Sequence, residues 1–346
     1  MRDAGFAGAP RFSHSVAMRP LTLKTGLYPA TISRTIWPPV GRCLQLRAAV
    51  CLCLIAIGLA AAAFPARLHA GAAFPRITLF PAAVESGETL AVELDCRPLP
   101  RRSPSYTVSF GEQRISLFPH PVKGNDIQVG LAAIPLSASP GTGTLIVAWF
   151  ENGQKRSRSV PFRIAAGTYG EERLKVDPRH VRPSPSDLEQ IRRDQEKLKR
   201  VYASGSPLRL WDNGFGLPVS GEVNGAFGTR RVFNGELRSQ HSGIDFRAQT
   251  GDPVHVSGAG VVRLAEELFF SGNAVIVDHG TGVFTSYSHL SRIQVSVGQR
   301  VERGQVVGLI GATGRATGPH LHWGVKVNSV NVNPLSFHKL MATLSP

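Results

Sequence analysis

Between residues 76 and 165, short β-rich runs alternate with turns. Runs at 76–80, 89–94, 106–110, 115–118 and 127–131 come first, with Gly and Pro between them. Residues 144–150 and 154–164 then meet across Asn152-Gly153. An Asn-Gly step between two β-rich runs is a strong hairpin signal, because both residues tolerate the positive φ that a tight turn needs. Short strands at this spacing predict a small immunoglobulin-like β-sandwich over 75–166. Its only histidine is His120, so it holds no catalytic constellation.

The pattern then changes twice. Pro178, Pro183 and Pro185 interrupt the chain, and residues 186–202 are dense in helix formers. Ser186 with Glu189 fits a capping box, and Leu188, Ile191, Leu198 and Val201 fall near one stripe at helical spacing. These features predict a linker with a helix over 170–204, packed between domains, whose Arg/Lys cluster is a solvated face. Over 213–336 the period is that of strands. Twenty of the 36 glycines lie after residue 210, where they separate apolar runs at 254–265, 274–278, 283–290, 292–297, 305–310 and 321–327. The expectation is a compact antiparallel β domain with tight turns and one short turn around 264–269. The chain as a whole reads as mainly β.

The N-terminal region has another character. Residues 48–64 are apolar, Arg42 and Arg47 precede them, and Leu68-His69-Ala70 follows. A positive start, an apolar middle and a small residue at the end describe a secretory signal. The expectation for 1–70 is an N-terminal extension and export signal, cleaved near Ala70, with the mature protein in the periplasm or cell envelope. The run also nears the length that spans a bilayer, so an inner-membrane anchor with transient membrane contact is the other reading. Residues 1–40 do not resemble a signal peptide; a start at Met18 or later, with no fold before it, is expected.

Charge and cysteine usage narrow the chemistry. Residues 1–70 hold eight Lys/Arg and one acid, +7 of the formal +15, which leaves +8 on 71–346. That surplus suits an anionic polymer such as the bacterial wall. No Lys/Arg run interleaved with aromatics appears, so nucleic acid is not the expected partner. Of the four cysteines only Cys96 lies beyond the apolar run. That excludes a disulfide framework and a cysteine metal site in the region after it.

Six of the eleven histidines fall between 241 and 322, four of them in three motifs: His241-Ser-Gly-Ile-Asp245, Tyr287-Ser-His289-Leu290 and Gly318-Pro-His320-Leu-His322-Trp323. A catalytic zinc takes three protein ligands and leaves one position to water. His241, Asp245 and His322 can supply three. Side chains two apart on a strand share a face, so His320 and His322 aim at one pocket while Leu321 and Trp323 face away. A metal acidifies water and polarises a carbonyl. His289 and His320 are then candidates to manage protons, and Tyr287 either adds a hydrogen bond or packs. His255 and His279 read as structural. Asn273 and Arg315 serve either substrate contact or turn chemistry.

The order HxxxD, YxHL, GPHLHW resembles the lysostaphin/LytM-type zinc metallopeptidases of the cell wall. The segments 225–230, 272–273, 278–280, 297–298, 304–308 and 313–318 extend the likeness over about 120 residues. The resemblance implies one zinc per chain on His241, Asp245 and His322, with His289 and His320 as the catalytic histidines. It implies a secreted endopeptidase acting on stem peptides or cross-links of peptidoglycan. The alternative is a non-hydrolytic activator or binding module for another wall hydrolase; all five site positions are filled, which favours the enzyme.

Overall fold

The computed structural model describes residues 74–97, 105–151, 153–212 and 214–345, all within one compact unit, Arg67–Pro346. The expected export segment at 48–64, with Cys43, Cys51 and Cys53, lies outside these residues. Among the described residues no helix is long and apolar enough to cross a membrane.

The first nine strands are β1 (Arg76–Phe80), β2 (Ala83–Glu85), β3 (Thr89–Asp95), β4 (Thr107–Phe110), β5 (Gln113–Ile115), β6 (Leu117–His120), β7 (Gly124–Ala133), β8 (Gly141–Glu151) and β9 (Gln154–Ala165). They form two sheets, ordered β1-β3-β7-β6 and β2-β9-β8-β4-β5. Leu90, Val92 and Leu94 of one sheet pack on Leu145, Val147 and Phe162 of the other, which makes this region a β-sandwich. The predicted hairpin is present: Glu151 pairs with Gln154. His120 is buried beside Glu93 and accepts backbone hydrogen bonds from Val122 and Lys123, a structural role.

The linker does more than connect. β10 (Glu171–Leu174) pairs in parallel with β12 (Arg230–Phe233), which pairs antiparallel with β13 (Leu237–Gln240). Helix α1 runs Pro185–Ala203. Its capping box is Ser184 with Asp187 rather than Ser186 with Glu189, because Pro185 takes the first helical position, where its missing N–H is no loss. Leu198, Val201 and Tyr202 pack on Leu264, Ile276 and Phe284. Leu188, placed on the same stripe by spacing, is exposed; the buried residue of that turn is Asp187, paired with Arg179.

The remaining strands are β11 (Val223–Gly225), β14 (Ile244–Arg247), β15 (Pro253–His255), β16 (Gly260–Leu268), β17 (Gly272–Gly280), β18 (Val283–Ile293), β19 (Arg300–Val301), β20 (Val306–Ile310), β21 (His320–Val327) and β22 (Val330–Val332). They form one ten-stranded sheet along the path β11-β14-β21-β18-β17-β16-β19, and all its pairings are antiparallel. The run 254–265 divides into β15 and the start of β16. The turn expected near 264–269 is instead the continuation of β16 to Leu268. The runs 283–290 and 292–297 are joined in β18 as far as Ile293. Helix α2 (Pro334–Leu344) closes the domain with Phe337, Leu340, Met341 and Leu344 buried.

Sandwich and C-terminal domain share a core. Alternation along β3 sends Leu90, Val92 and Leu94 into the sandwich, while Ala91 joins Val129, Leu131 and Phe118 against the second domain. Edge-to-face rings continue across the junction, Phe118 to Trp211 at 5.4 Å and Trp211 to Phe215 at 5.4 Å. Backbone groups are tied as well: Asn328 Nδ2 donates to the Leu131 carbonyl at 2.6 Å and Asn333 N to that of Gly87 at 2.7 Å.

Candidate metal centre and its cleft

Asp245 sits directly opposite His322 in the β14–β21 ladder. Cross-strand partners on one face stand close together, so the two side chains meet without help from a loop. His241 precedes β14 and is tied to the neighbouring turn in both directions: its N–H donates to Thr229 O at 2.9 Å and its carbonyl accepts from Gly228 N at 2.8 Å. Two glycines make room for the cluster. A Cβ at Gly243 would lie 2.4 Å from Trp323 O and 2.9 Å from the His322 ring. A Cβ at Gly225 would lie 2.6 Å from Asp245 Oδ2.

Three atoms converge. His241 Nε2 is 3.0 Å from Asp245 Oδ1 and 2.9 Å from His322 Nδ1, and His322 Nδ1 is 2.9 Å from Asp245 Oδ1. His241 Nδ1 lies 2.8 Å from the carbonyl of Ala226, which can only accept. The neutral His241 ring therefore carries its proton on Nδ1 and turns a lone pair inward. Asp245 Oδ1 is also an acceptor, so a single proton on His322 cannot satisfy all three atoms. A cation resolves the conflict. Ligand atoms of a tetrahedral metal with bonds of about 2.0–2.1 Å stand roughly 3.3 Å apart, close to the separations found. The donor set, two imidazole nitrogens and one carboxylate oxygen, fits a metal ion.

Electrostatics agree. Burial acts to raise the Asp245 pKa, but contacts with His241 and His322 outweigh it and hold the carboxyl far below its usual range. Burial lowers the pKa of His322, against the pull of Asp245. The second carboxylate oxygen is occupied: Arg231 Nη2 donates to Asp245 Oδ2 at 2.6 Å, and Arg231 Nε donates to Glu172 of β10. Sequence reasoning singled out neither Arg231 nor Glu172, and no motif marks them; only the β10–β12 pairing brings them here.

His289 and His320 flank the centre, ring centroids 4.7 Å apart. Each is anchored through Nδ1, His289 on Thr313 O and His320 on Gly318 O, both at 2.8 Å. Nε2 of each ring is thereby left as the free atom; that of His320 lies 3.8 Å from Asp245 Oδ1. His289 reaches the cleft by a backbone device. Strict alternation after the core residue Tyr287 would send Ser288 to the cleft and His289 inward. A φ of 65° at His289 puts both in the cleft wall before Leu290 returns to the core. Left-handed backbone at a non-glycine residue costs on the order of 1–3 kcal/mol and gathers at functional sites. Burial, and then the neighbouring His320, push the His289 pKa down to about 3.

The five residues share one cleft of about 490 Å³, also lined by Glu172, Arg231, Phe270 and Arg315, and by no described residue of the sandwich. Leu321 and Trp323 are fully buried on the opposite face, as the alternation predicts. Tyr287 is a core residue whose hydroxyl accepts from Ser257 N. His279 is fully buried between Ala259 O and Thr285 Oγ1, and His255 rests on Gly304 O; neither reaches the cluster. Asn273 serves the turn, donating to Leu290 O at 3.0 Å. Arg315 lines the cleft.

Sheet, cleft and donor set form a candidate metal centre in the C-terminal domain. Residues 239–334 match Peptidase family M23. The chain is 40% identical over 194 residues to the peptidoglycan DD-endopeptidase ShyC of Vibrio cholerae, covering 56% of this chain and 37% of that protein. It is 42% identical over 125 residues to ShyA, a peptidoglycan DD-endopeptidase of the same organism, covering 36% and 29%. It is 45% identical over 96 residues to the DD-carboxypeptidase/endopeptidase Mpg of Neisseria meningitidis, covering 28% and 22%. The chain thus spans only 22% to 37% of the length of these relatives. A solved structure described as a candidate peptidase M23 from Pseudomonas aeruginosa aligns over 73% of this chain and 93% of its own, with 29% identity and a TM-score of 0.56.

Proposed function

We propose that this chain is a zinc metalloendopeptidase that is exported to the periplasm or cell envelope and hydrolyses stem peptides or peptide cross-links of peptidoglycan. The observation that carries the reading is the convergence of three lone-pair atoms on His241, Asp245 and His322 in a cleft flanked by two carbonyl-anchored imidazoles. Relatives named as peptidoglycan endopeptidases support the substrate, and the apolar run at 48–64 behind Arg42 and Arg47 supports export.

His241 Nε2, Asp245 Oδ1 and His322 Nδ1 would hold one zinc per chain, a common donor set for a catalytic zinc site. When bound, the ion supplies Lewis acidity toward a carbonyl oxygen and acidifies water. The rest is the work of the chain. Arg231 occupies Asp245 Oδ2 and so leaves Oδ1 for the centre. His289 and His320, with Nδ1–H held by carbonyls, present Nε2 lone pairs to the cleft. One accepts a proton from the attacking water and can return it to the leaving amine, the usual role of a positioned imidazole. The test is mass spectrometry of muropeptides released from purified sacculi by the zinc-loaded chain: cleaved peptides are expected, and intact sacculi would refute the substrate.

A further inference from the structure

Arg315 stands in the wall of the cleft, on the loop between β20 and β21. Its guanidinium carbon lies 4.3 Å from the ring centre of Phe233 and 4.6 Å from that of Phe270. Its own N–H donates to the Phe270 carbonyl at 2.9 Å. The planar group is therefore held by two aromatic faces on a fixed loop. Yet among the described residues no carboxylate or carbonyl accepts a hydrogen bond from it. Arg231, on the same wall, is the opposite case, with Glu172 and Asp245 both bound to it. A half-buried cation without a counter-ion is costly. Burial and the charge of Arg231 lower the Arg315 pKa to about 10, which still leaves it charged at neutral pH. A guanidinium presents a rigid fork of donors that matches a carboxylate in two parallel hydrogen bonds. Here the two aromatic faces and the loop hold such a fork in the cleft wall.

We propose that Arg315 is a specificity-determining residue of the cleft that takes a free carboxylate of the bound peptide. This rests on the reading of the cleft as a peptidase site for peptidoglycan. In such a peptide the carboxylate has two sources, the C-terminal α-carboxylate of a stem or the side-chain carboxylate of a diamino-dicarboxylic residue. The chemistry at Arg315 is the same for both.

The test uses the full zinc-loaded chain and one cross-linked peptide in three forms: free acid, C-terminal carboxamide and side-chain carboxamide. Hydrogen bonds to charged groups are worth enough to shift kcat/KM by about 10–100-fold. The wild type should prefer the free acid over one of the amides by that factor, mainly through KM, and the amide that suffers names the source. In Arg315→Gln the preference should collapse toward one, and Arg315→Lys should restore part of it, at unchanged metal content. Equal cleavage of all three forms by the wild type overturns the proposal, as does an Arg315→Gln enzyme that keeps the full preference. Where Arg315→Gln does not fold, the wild-type series decides alone. If the wild type cleaves none of the three, the peptidoglycan reading fails and this inference falls with it.

Discussion

Arg231 Nη2 donates to Asp245 Oδ2 at 2.6 Å while Asp245 Oδ1 faces the two histidines of the centre. The carboxylate is thus oriented by an arginine that itself is held by Glu172, on a strand of the linker. Outer partners of metal ligands typically contribute 10–100-fold in affinity. Arg231→Gln should weaken metal binding by about that factor, measured by competition with a chelator. Unchanged affinity would show that Asp245 needs no such partner.

The sandwich and the peptidase should unfold together. Trp211 is fully buried where Phe118 of the sandwich meets Phe215. Large aromatic truncations in a core cost about 3–5 kcal/mol. Trp211→Ala should lower the denaturation midpoint of both domains in one shared transition, read by near-UV and far-UV circular dichroism. Two separate transitions in the wild type would contradict the shared core.

His279 makes stability depend on pH. It is fully buried, and burial lowers its pKa to about 4, against 6.5 for the unfolded group. A lowered folded value means that the unfolded chain binds the extra proton. The stability is fully present above pH 6.5 and is lost as pH falls through 4. Between pH 7 and pH 5 this one group should remove about 2 kcal/mol. Urea unfolding at the two pH values should show that loss shrinking in His279→Gln. An equal loss in the variant would place the dependence elsewhere.

Much of the centre is legible in the primary structure because it depends on local period. His320-Leu321-His322-Trp323 alternates on one strand, so a shared cleft face for the two histidines follows from spacing alone. Helix α2, outside the expectations above, carries local signals too: Asn333 caps it, Pro334 opens it, and Phe337, Leu340, Met341 and Leu344 fall on one stripe. Other features are not local. Arg231 and Glu172 are 59 residues apart and meet through a parallel strand pairing. His289 enters the cleft by a left-handed φ that contradicts the alternation of its strand. The second buried face of β3 is covered by another domain, and nothing in its own sequence distinguishes that from a face on solvent.

Export is tested at the N-terminus. The run at 48–64, with Arg42 and Arg47 before it and Ala70 after, should be removed near Ala70 on secretion. N-terminal sequencing of the envelope fraction should begin near Gly71. An uncleaved chain confined to the cytoplasm would contradict export.

The central claim is that His241, Asp245 and His322 hold the metal while His289 and His320 move protons beside it. Metal content and hydrolysis measured on the same preparations of four variants test it most directly. His322→Ala and Asp245→Ala should lose metal and activity together. His320→Ala and His289→Ala should keep about one zinc per chain and lose about 10²–10⁴-fold in rate. A His320→Ala protein without metal beside a His322→Ala protein that retains it would reverse the assignment. Full activity after exhaustive metal removal from the wild type would contradict the account.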